Sequence, residues 1–450
     1  MPDPVSVPLT TRPLGVLESY RAARRNILEI IPLAALHQPM ISGRTGPQRW
    51  HMLMSPLAIR RVLLEAVENY PKSEATKSIL KPAIGNSLFI AEGADWRWQR
   101  RAVAPAFSAR NVAALTPVMT RAAEASARRI APLARPGRAV NLLDQMVAAT
   151  FDVISDVCFG ADGGLDRAEV HGALEAYIDQ AARVSVLDVL GLPSWLPRPA
   201  RVGAARSLTR MQADADAAIT RRRQHGPGTD MDLLDLLLDA ADPETGRAMT
   251  TEELRENLLT FIVAGHETTA LTLSWALYLC AFDPEIQNAA RMEAQEVLGA
   301  RPAGAGDVAA LPLTRQIVEE TLRLYPAGGF LSRTARAADR LGDAEIRPGD
   351  TVMIPVYALH RHRGLWDRPD AFHPARFDGR SKIDRYQFLP FSDGPRICIG
   401  ASFAMQEAVV ILATLLTRFR FAAIRGRAPK PVMILTLRPE GGVWLEVTPV

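Results

Sequence analysis

The stretch FSDGPRICIG, residues 391–400, contains one of the three cysteines of the chain, Cys398. The stretch has no helical or strand periodicity, has glycines at positions 394 and 400, and is followed directly by an apolar helical pattern. A cysteine just before a helix lies near unsatisfied N–H groups and the positive end of the helix dipole, which stabilise a thiolate. The sequence therefore suggests a thiolate that acts as a metal ligand or as a nucleophile.

An isolated cysteine is more often a small buried apolar residue, and this is our interpretation of Cys158 and Cys280, which lie in apolar helical patterns. No two cysteines have C-x-x-C or zinc-ligand spacing, and such usage is typical of a reducing compartment. A single thiolate without companion ligands suits haem iron, because the porphyrin supplies four nitrogens and the protein one axial atom. A cysteine–histidine nucleophile stays open, since the chain has eight histidines.

Charge and hydropathy exclude several other classes of protein. The 450 residues have a formal net charge of only +4, dispersed along the chain, whereas nucleic-acid proteins concentrate positive charge on one stripe. The N-terminus lacks an apolar run, so we expect neither a signal peptide nor a membrane anchor. The segment 258–282 has the length of a membrane span, but His266 and Glu267 at mid-depth would cost several kcal/mol. We therefore expect a core helix of a soluble protein.

Helical periodicity dominates the chain, for example at 55–70, 111–129 and 231–241, which predicts a mainly α protein with a small β component. We predict one domain over residues 1–450, with a helix-rich core at about 96–421 and a smaller β-containing part at about 40–90. The proline-rich loop 192–203, with Trp195, suits either an entrance lid or a plain connector.

The second half of the chain has clear element boundaries. Thr250 and Glu253 form a capping box at the start of a helix over 251–282, which at 1.5 Å per residue is about 48 Å long. A later helix, LTRQIVEETLRLY (313–325), ends at Tyr325 because Pro326 follows it. Residues 345–359 predict a hairpin with its turn at 348–350, and the last helix is expected from about 400 to 419.

Three other groups of residues have a functional interpretation if Cys398 binds haem. The propionates of haem need basic and donor groups, and Arg396 together with the helical pair Trp96 and Arg100 offers them. In AGHETT, residues 264–269, the small residues 264 and 265 let a flat cofactor approach the helix. Glu267 and Thr268 place an acid beside a hydroxyl, which suits proton relay. A buried polar patch is the alternative interpretation of AGHETT.

The order of AGHETT (264–269), EETLR (319–323), PARF (374–377) and FSDGPRICIG (391–400) resembles the cytochrome P450 family of haem-thiolate monooxygenases. The pattern Phe-x-x-Gly-x-Arg-x-Cys-x-Gly of that family is matched at Phe391, Gly394, Arg396, Cys398 and Gly400. The resemblance extends to FAMQE (403–407) and runs from about residue 96 to about 421. It implies the cytochrome P450 fold, with the long central helix over the haem.

The resemblance also implies roles for individual residues. Cys398 would be the proximal iron ligand of haem b (iron protoporphyrin IX), and Glu267 and Thr268 would deliver protons. The propionates would be bound by Trp96, Arg100, Arg333 and Arg396. The loop beneath the haem would be held by a cluster of Glu320, Arg323 and Arg376, with Phe391 shielding the thiolate and Gly400 beside it. The substrate pocket would be lined by Leu88, Phe89, Phe261, Ala264, Phe330, Leu331 and Ile434.

The implied activity is hydroxylation or epoxidation of a lipophilic small molecule, such as a fatty acid, terpenoid or steroid, using O2. Electrons would come from a separate ferredoxin or flavodoxin with its reductase, and a basic patch of Arg97, Arg100 and Arg101 suits an acidic ferredoxin. We expect a cytoplasmic monomer of the soluble bacterial type. The alternatives are a non-oxygenating haem-thiolate sensor, a peroxide isomerase or dehydratase, and a haem-free cysteine hydrolase.

Overall fold

The fold is described from a computed structural model that covers residues 3–160, 172, 205–227, 232–299 and 301–450. The predicted lid or connector at 192–203, with Trp195, lies outside the described residues. Helices make up 54% of the structure, and a small sheet component accompanies them, as the sequence predicted.

The α-helices are numbered here in chain order. They are α1 (Val16–Arg25), α2 (Pro56–Arg60), α3 (Glu74–Ile84), α4 (Gly93–Val103), α5 (Ala109–Ala114), α6 (Thr116–Ile130), α7 (Leu142–Phe159), α8 (Ala205–His225), α9 (Leu233–Leu238), α10 (Thr251–Phe282), α11 (Pro284–Leu298), α12 (Pro312–Leu324), α13 (Val356–Leu359) and α14 (Ala401–Arg418).

The strands follow the same numbering. They are β1 (Met40–Thr45), β2 (Gln48–Leu53), β3 (Ala139–Asn141), β4 (Leu331–Thr334), β5 (Asp339–Leu341), β6 (Ala344–Ile346), β7 (Thr351–Ile354), β8 (Phe419–Ala423), β9 (Lys430–Met433), β10 (Leu437–Glu440) and β11 (Trp444–Pro449).

The long helix α10 has the bounds that its capping box predicts. Thr250 Oγ1 accepts a hydrogen bond from the Glu253 N–H at 3.2 Å, and the Glu253 carboxylate accepts from the Thr250 N–H at 2.9 Å. Most of its residues from 258 to 281 are buried, and α7, α8 and α14 pack against it. The apolar segment 258–282 is therefore a core helix, as expected.

Four strands form the largest sheet, in the order β1-β2-β7-β4. The pair β1 and β2 is an antiparallel hairpin, whereas β2 and β7 are parallel, with Trp50 opposite Thr351. A second sheet, β3-β11-β8, and two separate pairs, β5-β6 and β9-β10, complete the β structure. The small β component thus draws on segments from both halves of the chain.

The predicted hairpin at 345–359 is wrong. Strand β6 pairs with β5, and β7 pairs with β2 and β4, so the strands on either side of the turn at 348–350 do not pair with each other. The return strand also ends at Ile354, because Pro355 lacks the N–H that a ladder requires and instead begins α13. The sequence could indicate strands here but not their partners.

Two predicted helices are interrupted. The pattern at 55–70 contains α2, a π-helical turn over Arg61–Glu65 and a 3-10 turn over Val67–Asn69. The pattern at 111–129 is divided between α5 and α6 at Leu115, where Pro117 favours the start of a new helix. The last helix, α14, has the expected bounds within one residue at each end.

Most buried apolar side chains belong to one cluster, which extends from Val7 to Val447. Cys158 and Cys280 are fully buried in it, as predicted. Among the described helices, α14 alone is long and apolar enough to cross a membrane by those two criteria. Since 61% of it is buried, and core helices of soluble proteins meet the same criteria, this is weak evidence for a span.

Candidate functional site

The loop before Cys398 is shaped by close backbone contacts. The Cys398 N–H donates to the Phe391 carbonyl at 2.9 Å, which folds the loop back on itself. Gly394 has φ +70°, and a Cβ at this position would lie 2.0 Å from the Leu63 carbonyl oxygen. Only glycine therefore fits at position 394. The loop leads into α14, whose N-cap is Gly400.

The Cys398 side chain is exposed, unlike the two other cysteines. Burial of the thiol nevertheless raises its pKa, against the opposing effects of the Gly400 N–H and the charges of Arg100 and Lys72. A thiol that is both accessible and surrounded by protein lies on the wall of an interior space. Among the described residues, the groups that act on this pKa are the Gly400 N–H, Arg100 and Lys72, and the absence of a histidine from them gives no support to a cysteine–histidine nucleophile.

Gly400 borders open space. Its φ of −87° suits any residue, and a Cβ there would meet no atom within 4 Å. The protein itself therefore does not require glycine at this position. A flat group lying beside Cys398 would require it, because a side chain at position 400 would project into that space.

The predicted propionate-binding residues lie around this loop. The Arg396 guanidinium stacks on the Trp96 ring at 4.2 Å from its centroid and donates to the Ala91 carbonyl at 2.7 Å. Arg100 donates to the Ile397 carbonyl at 3.1 Å. The structure thus brings α4 and the cysteine loop together.

Lys72 is a residue that sequence analysis missed. A β-bridge joins its backbone to that of Arg333, and its ammonium lies 3.5 Å from the centroid of the Phe89 ring. Burial, and then the positive charges of Arg333 and Arg396, hold the pKa of Lys72 well below its usual value. No motif surrounds Lys72 in the sequence, and its only signal is the pairing with a residue 261 positions away.

The pKa values of the neighbouring arginines are lowered as well. Burial lowers the pKa of Arg333 to about 10 and that of Arg396 to about 10, with the charges of Arg333 and Arg100 adding to the effect at Arg396. Glu92 opposes these shifts, but its carboxylate also pairs with Lys77 at 3.1 Å and Arg336 at 3.0 Å.

The cluster of Lys72, Arg100, Arg333 and Arg396 therefore holds more positive charge than its carboxylate neighbour balances, which suits a ligand with anionic groups. An accessible thiol, open space at Gly400 and this unbalanced charge fit haem, which is planar and carries two propionates. The residues present therefore fit the cofactor that the resemblance implies.

The structure brings Glu320, Arg323 and Arg376 together in the core. Arg323 donates to both carboxylate oxygens of Glu320, at 2.7 and 2.8 Å, and both side chains have no exposed surface. Arg376 donates to the same carboxylate at 3.2 Å. The arginines also donate to backbone carbonyls of the segment that precedes the cysteine loop: those of residues 360, 369 and 371 for Arg323, and of residues 367 and 368 for Arg376.

The AGHETT segment differs in part from the expectation. Ala264 is exposed although it lies in the middle of α10, whereas a Cβ on Gly265 would lie 3.1 Å from Ile154 of α7. Gly265 therefore serves helix packing, and only Ala264 borders open space. Thr268 is half-buried and donates to the Ala264 carbonyl at 2.7 Å.

In the described part of the chain, the Thr268 hydroxyl donates to the Ala264 carbonyl and not to Glu267. The buried Glu267 carboxylate accepts from Thr436 at 3.1 Å and forms an ion pair with Arg438. Both partners lie about 170 residues further along the chain, so no local pattern could have indicated them.

The predicted pocket residues divide into two groups. Leu88 and Phe261 are buried, and Phe261 packs against Phe107 with 5.2 Å between ring centroids. The other five are accessible in part or exposed: Phe89, Ala264, Phe330, Leu331 and Ile434. The accessible group provides apolar candidates for the wall of a pocket.

The predicted basic patch is largely neutralised by ion pairs. Arg97 pairs with Glu68 at 3.0 Å, and Arg101 pairs with Asp242 at 2.7 Å and with Glu244 at 3.2 Å. Arg101, through its hydrogen bond, lowers the pKa of Asp242 below its usual range.

The thiol and its cationic surroundings suit a haem-thiolate enzyme, and comparison with known proteins gives a family of this class. The profile of the family "Cytochrome P450" matches residues 13–446. The chain belongs to the cytochrome P450 family and is a monooxygenase by class. Membership of this family implies a haem cofactor, O2, a substrate and redox partners.

Two Streptomyces melanosporofaciens proteins are among the relatives. Cyclooctatin synthase is 33% identical over 92% of this chain and 90% of its own length. Cyclooctat-9-en-7-ol 5-monooxygenase is 31% identical over 94% of this chain and 90% of its own length. The crystal structure of the cytochrome P450DA heme domain superposes with a TM-score of 0.81 at 26% identity, covering 97% of this chain and 93% of that chain.

Proposed function

We propose that this protein hydroxylates or epoxidises a lipophilic small molecule, such as a fatty acid, terpenoid or steroid, with haem b bound through Cys398. The observation that carries this proposal is an accessible thiol beside a cationic cluster, of which Arg100 and Lys72 act directly on the thiol. When bound, the haem supplies the oxidising chemistry at its iron.

The residues around the thiol would hold the cofactor in two ways. Cys398 would bind the iron as a thiolate and release its proton to solvent, because coordination favours the thiolate over the thiol despite the raised pKa of the free thiol. The propionates would take up the excess positive charge of Lys72, Arg100, Arg333 and Arg396, with Trp96 as a further donor. Phe391 would keep water from the thiolate, and Gly400 would leave room for the porphyrin.

The cluster of Glu320, Arg323 and Arg376 would fix the path of the chain beneath the haem. Its arginines bind backbone carbonyls between residues 360 and 371, so the ion pairs and the following loop are held as one unit. A rigid loop would place the Cys398 sulphur reproducibly, which a single axial ligand requires.

Proton delivery would use Glu267 and Thr268. In the structure Thr268 is half-buried, and the buried Glu267 carboxylate is held by Thr436 and Arg438. Replacement of Thr268 by alanine is expected to divert electrons from product to peroxide. Turnover of Thr268→Ala without such diversion would favour a protein that does not oxygenate.

The lipophilic substrate is supported by the accessible pocket residues, which are apolar. A relative of this chain is named for its action on cyclooctat-9-en-7-ol, an alcohol with a hydrocarbon skeleton. A substrate of this kind would gain affinity mainly from the burial of its apolar surface, at about 25 cal/mol per Å².

Further parts of the proposal concern organisation and partners. We propose one domain over residues 1–450, supported by the single large core cluster and the β2–β7 pairing.

We propose a cytoplasmic monomer that receives electrons from a separate ferredoxin or flavodoxin. Because Arg97 and Arg101 are ion-paired, an acidic ferredoxin would have to compete with Glu68 and Asp242 for them. An Arg97→Glu/Arg101→Glu variant that is reduced as fast as the native protein would exclude this docking site.

The purified protein tests the proposed function directly. We expect one haem per chain, a carbonyl spectrum of the thiolate type, and a saturable shift of the ferric spectrum with dodecanoic acid, farnesol or progesterone. Cys398→Ser should lose the thiolate spectrum, whereas Cys280→Ser, at a buried cysteine, should keep it. A colourless native protein would contradict the haem-thiolate assignment, and substrate conversion without any reductase would favour an isomerase.

A further inference from the structure

The hairpin β9–β10 is anchored to the core at the residues that flank its turn. Asn26 accepts a hydrogen bond from the Met433 N–H at 3.0 Å and donates to the Pro431 carbonyl at 3.1 Å. On the other strand, the Leu437 N–H donates to the Ala327 carbonyl at 3.0 Å, and the Trp275 indole donates to the Leu437 carbonyl at 3.1 Å. The two residues that flank the turn are therefore fixed, and the tip at 434–436 lies between them.

The tip and the residue before it lie beside segments that carry candidate pocket residues. Leu435 packs against the same apolar cluster of α3 as Val263, which directly precedes the exposed Ala264 of α10. The Met433 sulphur lies so close to Gly329 that a Cβ there would be only 2.9 Å away. Since Ile434 is accessible in part, a ligand that fills the pocket would contact the hairpin at this point.

The same hairpin holds the Glu267 carboxylate. Thr436 at the tip donates to Glu267 at 3.1 Å, and Arg438 on β10 forms the ion pair with it. The Glu267 side chain is 9% exposed, whereas the Arg438 side chain is 32% exposed. The acid of the pair is therefore buried, whereas part of the Arg438 side chain is accessible.

We propose that Arg438 is a positioning residue for proton delivery, which holds the Glu267 carboxylate on the hairpin that also forms part of the pocket wall. This inference rests on the proposed function, because it assigns a partner to the acid of that function. The orientation of the acid and the contact with substrate are then set by one element.

The test uses the holoenzyme with a surrogate ferredoxin and its reductase. The variants are Arg438→Gln, Arg438→Lys, Glu267→Gln and the double variant Arg438→Gln/Glu267→Gln. Lys430→Gln is the matched control, because Lys430 forms an ion pair with Glu440 on the same hairpin but at the surface, at 2.7 Å. The readouts are peroxide released per NADPH consumed, without substrate and with dodecanoic acid or farnesol, and the Tm of each variant.

Arg438→Gln should keep its haem and the thiolate-type spectrum and should release more peroxide per NADPH. The fraction of electrons that reaches product or water should fall by about tenfold, less than the roughly 10²–10⁴-fold that acid–base catalysis contributes as a whole. Arg438→Lys should restore most of the loss, and Lys430→Gln should behave as the native protein. In the Glu267→Gln background, Arg438→Gln should add no further loss, because Arg438 acts through Glu267.

The Tm of the same variants reports on the ion pair independently of turnover. Arg438→Gln should lower the Tm in the native background more than in the Glu267→Gln background. If Arg438→Gln fails to fold, Thr436→Val removes the other donor to Glu267 and should raise peroxide release to a smaller extent.

Unchanged peroxide release in Arg438→Gln, or equal losses in both backgrounds, would overturn the proposal. If Arg438→Gln does not fold, unchanged peroxide release in Thr436→Val would overturn it as well. A native protein without haem would overturn the proposed function instead, so the two failures are distinguishable.

Discussion

At the scale of single residues, the Glu320 carboxylate has the most consequential position outside the cysteine loop. It balances two buried guanidinium groups, Arg323 and Arg376, and it also accepts from the His373 N–H at 2.9 Å. Removal of one partner from a buried ionic cluster leaves the other charges uncompensated. The neighbouring Glu319 differs, since its partner Arg315 is largely exposed.

Glu320→Gln is therefore expected to destabilise the protein by about 3–5 kcal/mol and to lower its haem content. Glu319→Gln is the matched control and should cost less than about 1 kcal/mol, as exposed helical pairs do. Urea unfolding and the haem absorbance per protein measure both effects. Equal stabilities of the two variants would contradict the role assigned to the cluster.

A second residue, His360, controls stability at low pH. Its ring is fully buried, with Nε2 accepting from the Leu389 N–H at 2.9 Å and Nδ1 donating to the Arg323 carbonyl at 3.2 Å. A second proton on Nε2 would lose the bond to Leu389. Burial, and then the charge of Arg323, lower the pKa of His360 from 6.5 to about 3.

The lowered pKa of His360 makes the folded protein less stable at low pH. Between about pH 6.5 and pH 3 the unfolded chain binds a proton at His360 that the folded protein does not, so the free energy of unfolding falls as the pH falls. The stabilisation is complete above pH 6.5. His360→Gln should flatten the dependence of Tm on pH in this window, whereas the exposed His225→Gln should not. A His360→Gln profile parallel to that of the native protein would exclude this explanation.

At the scale of elements, the cysteine loop depends on the contact between Gly394 and the π-helical turn at Arg61–Glu65. Gly394→Ala places a methyl group 2.0 Å from the Leu63 carbonyl oxygen, in addition to the strain of a positive φ. Gly379 separates these effects, because its φ is +83° but a Cβ there meets no atom within 4 Å.

Gly379→Ala should cost about 1–2 kcal/mol, from the strain of the left-handed backbone alone. Gly394→Ala should cost clearly more and should also lower the haem content, because the loop that carries Cys398 must move. Chemical unfolding and haem absorbance per protein compare the two. A Gly394→Ala protein with native haem content would mean that the loop adapts without moving Cys398.

Elements also show where sequence analysis succeeded and where it failed. The bounds of α10 follow from local chemistry, since Thr250 and Glu253 are three residues apart and proline and glycine punctuate the neighbouring segments. Strand pairing is different, because β7 pairs with β2 as well as with β4, and no local pattern specifies that β2, about 300 residues earlier, is a partner. The same reason explains why Lys72 and Arg438 were missed, whereas Trp96, Arg100 and Arg396 were found near their motifs.

At the scale of the whole molecule, the largest sheet joins an early and a late part of the chain. Strand β2 forms a hairpin with β1 from adjacent residues, but its other edge pairs with β7, with Trp50 opposite Thr351. Local pairing of this kind forms early in folding, and distant pairing has to wait for closure of a long loop.

The late pairing of β2 with β7 leaves one edge of β2 open during synthesis of the chain. At about 5–20 residues per second, a ribosome needs about 15–60 s to extend the chain from Trp50 to Thr351. For that interval the inner edge of β2 has no partner in its own chain. An open strand edge is a template for pairing with other chains, so the nascent N-terminal hairpin is where chaperone dependence or aggregation of this protein should begin.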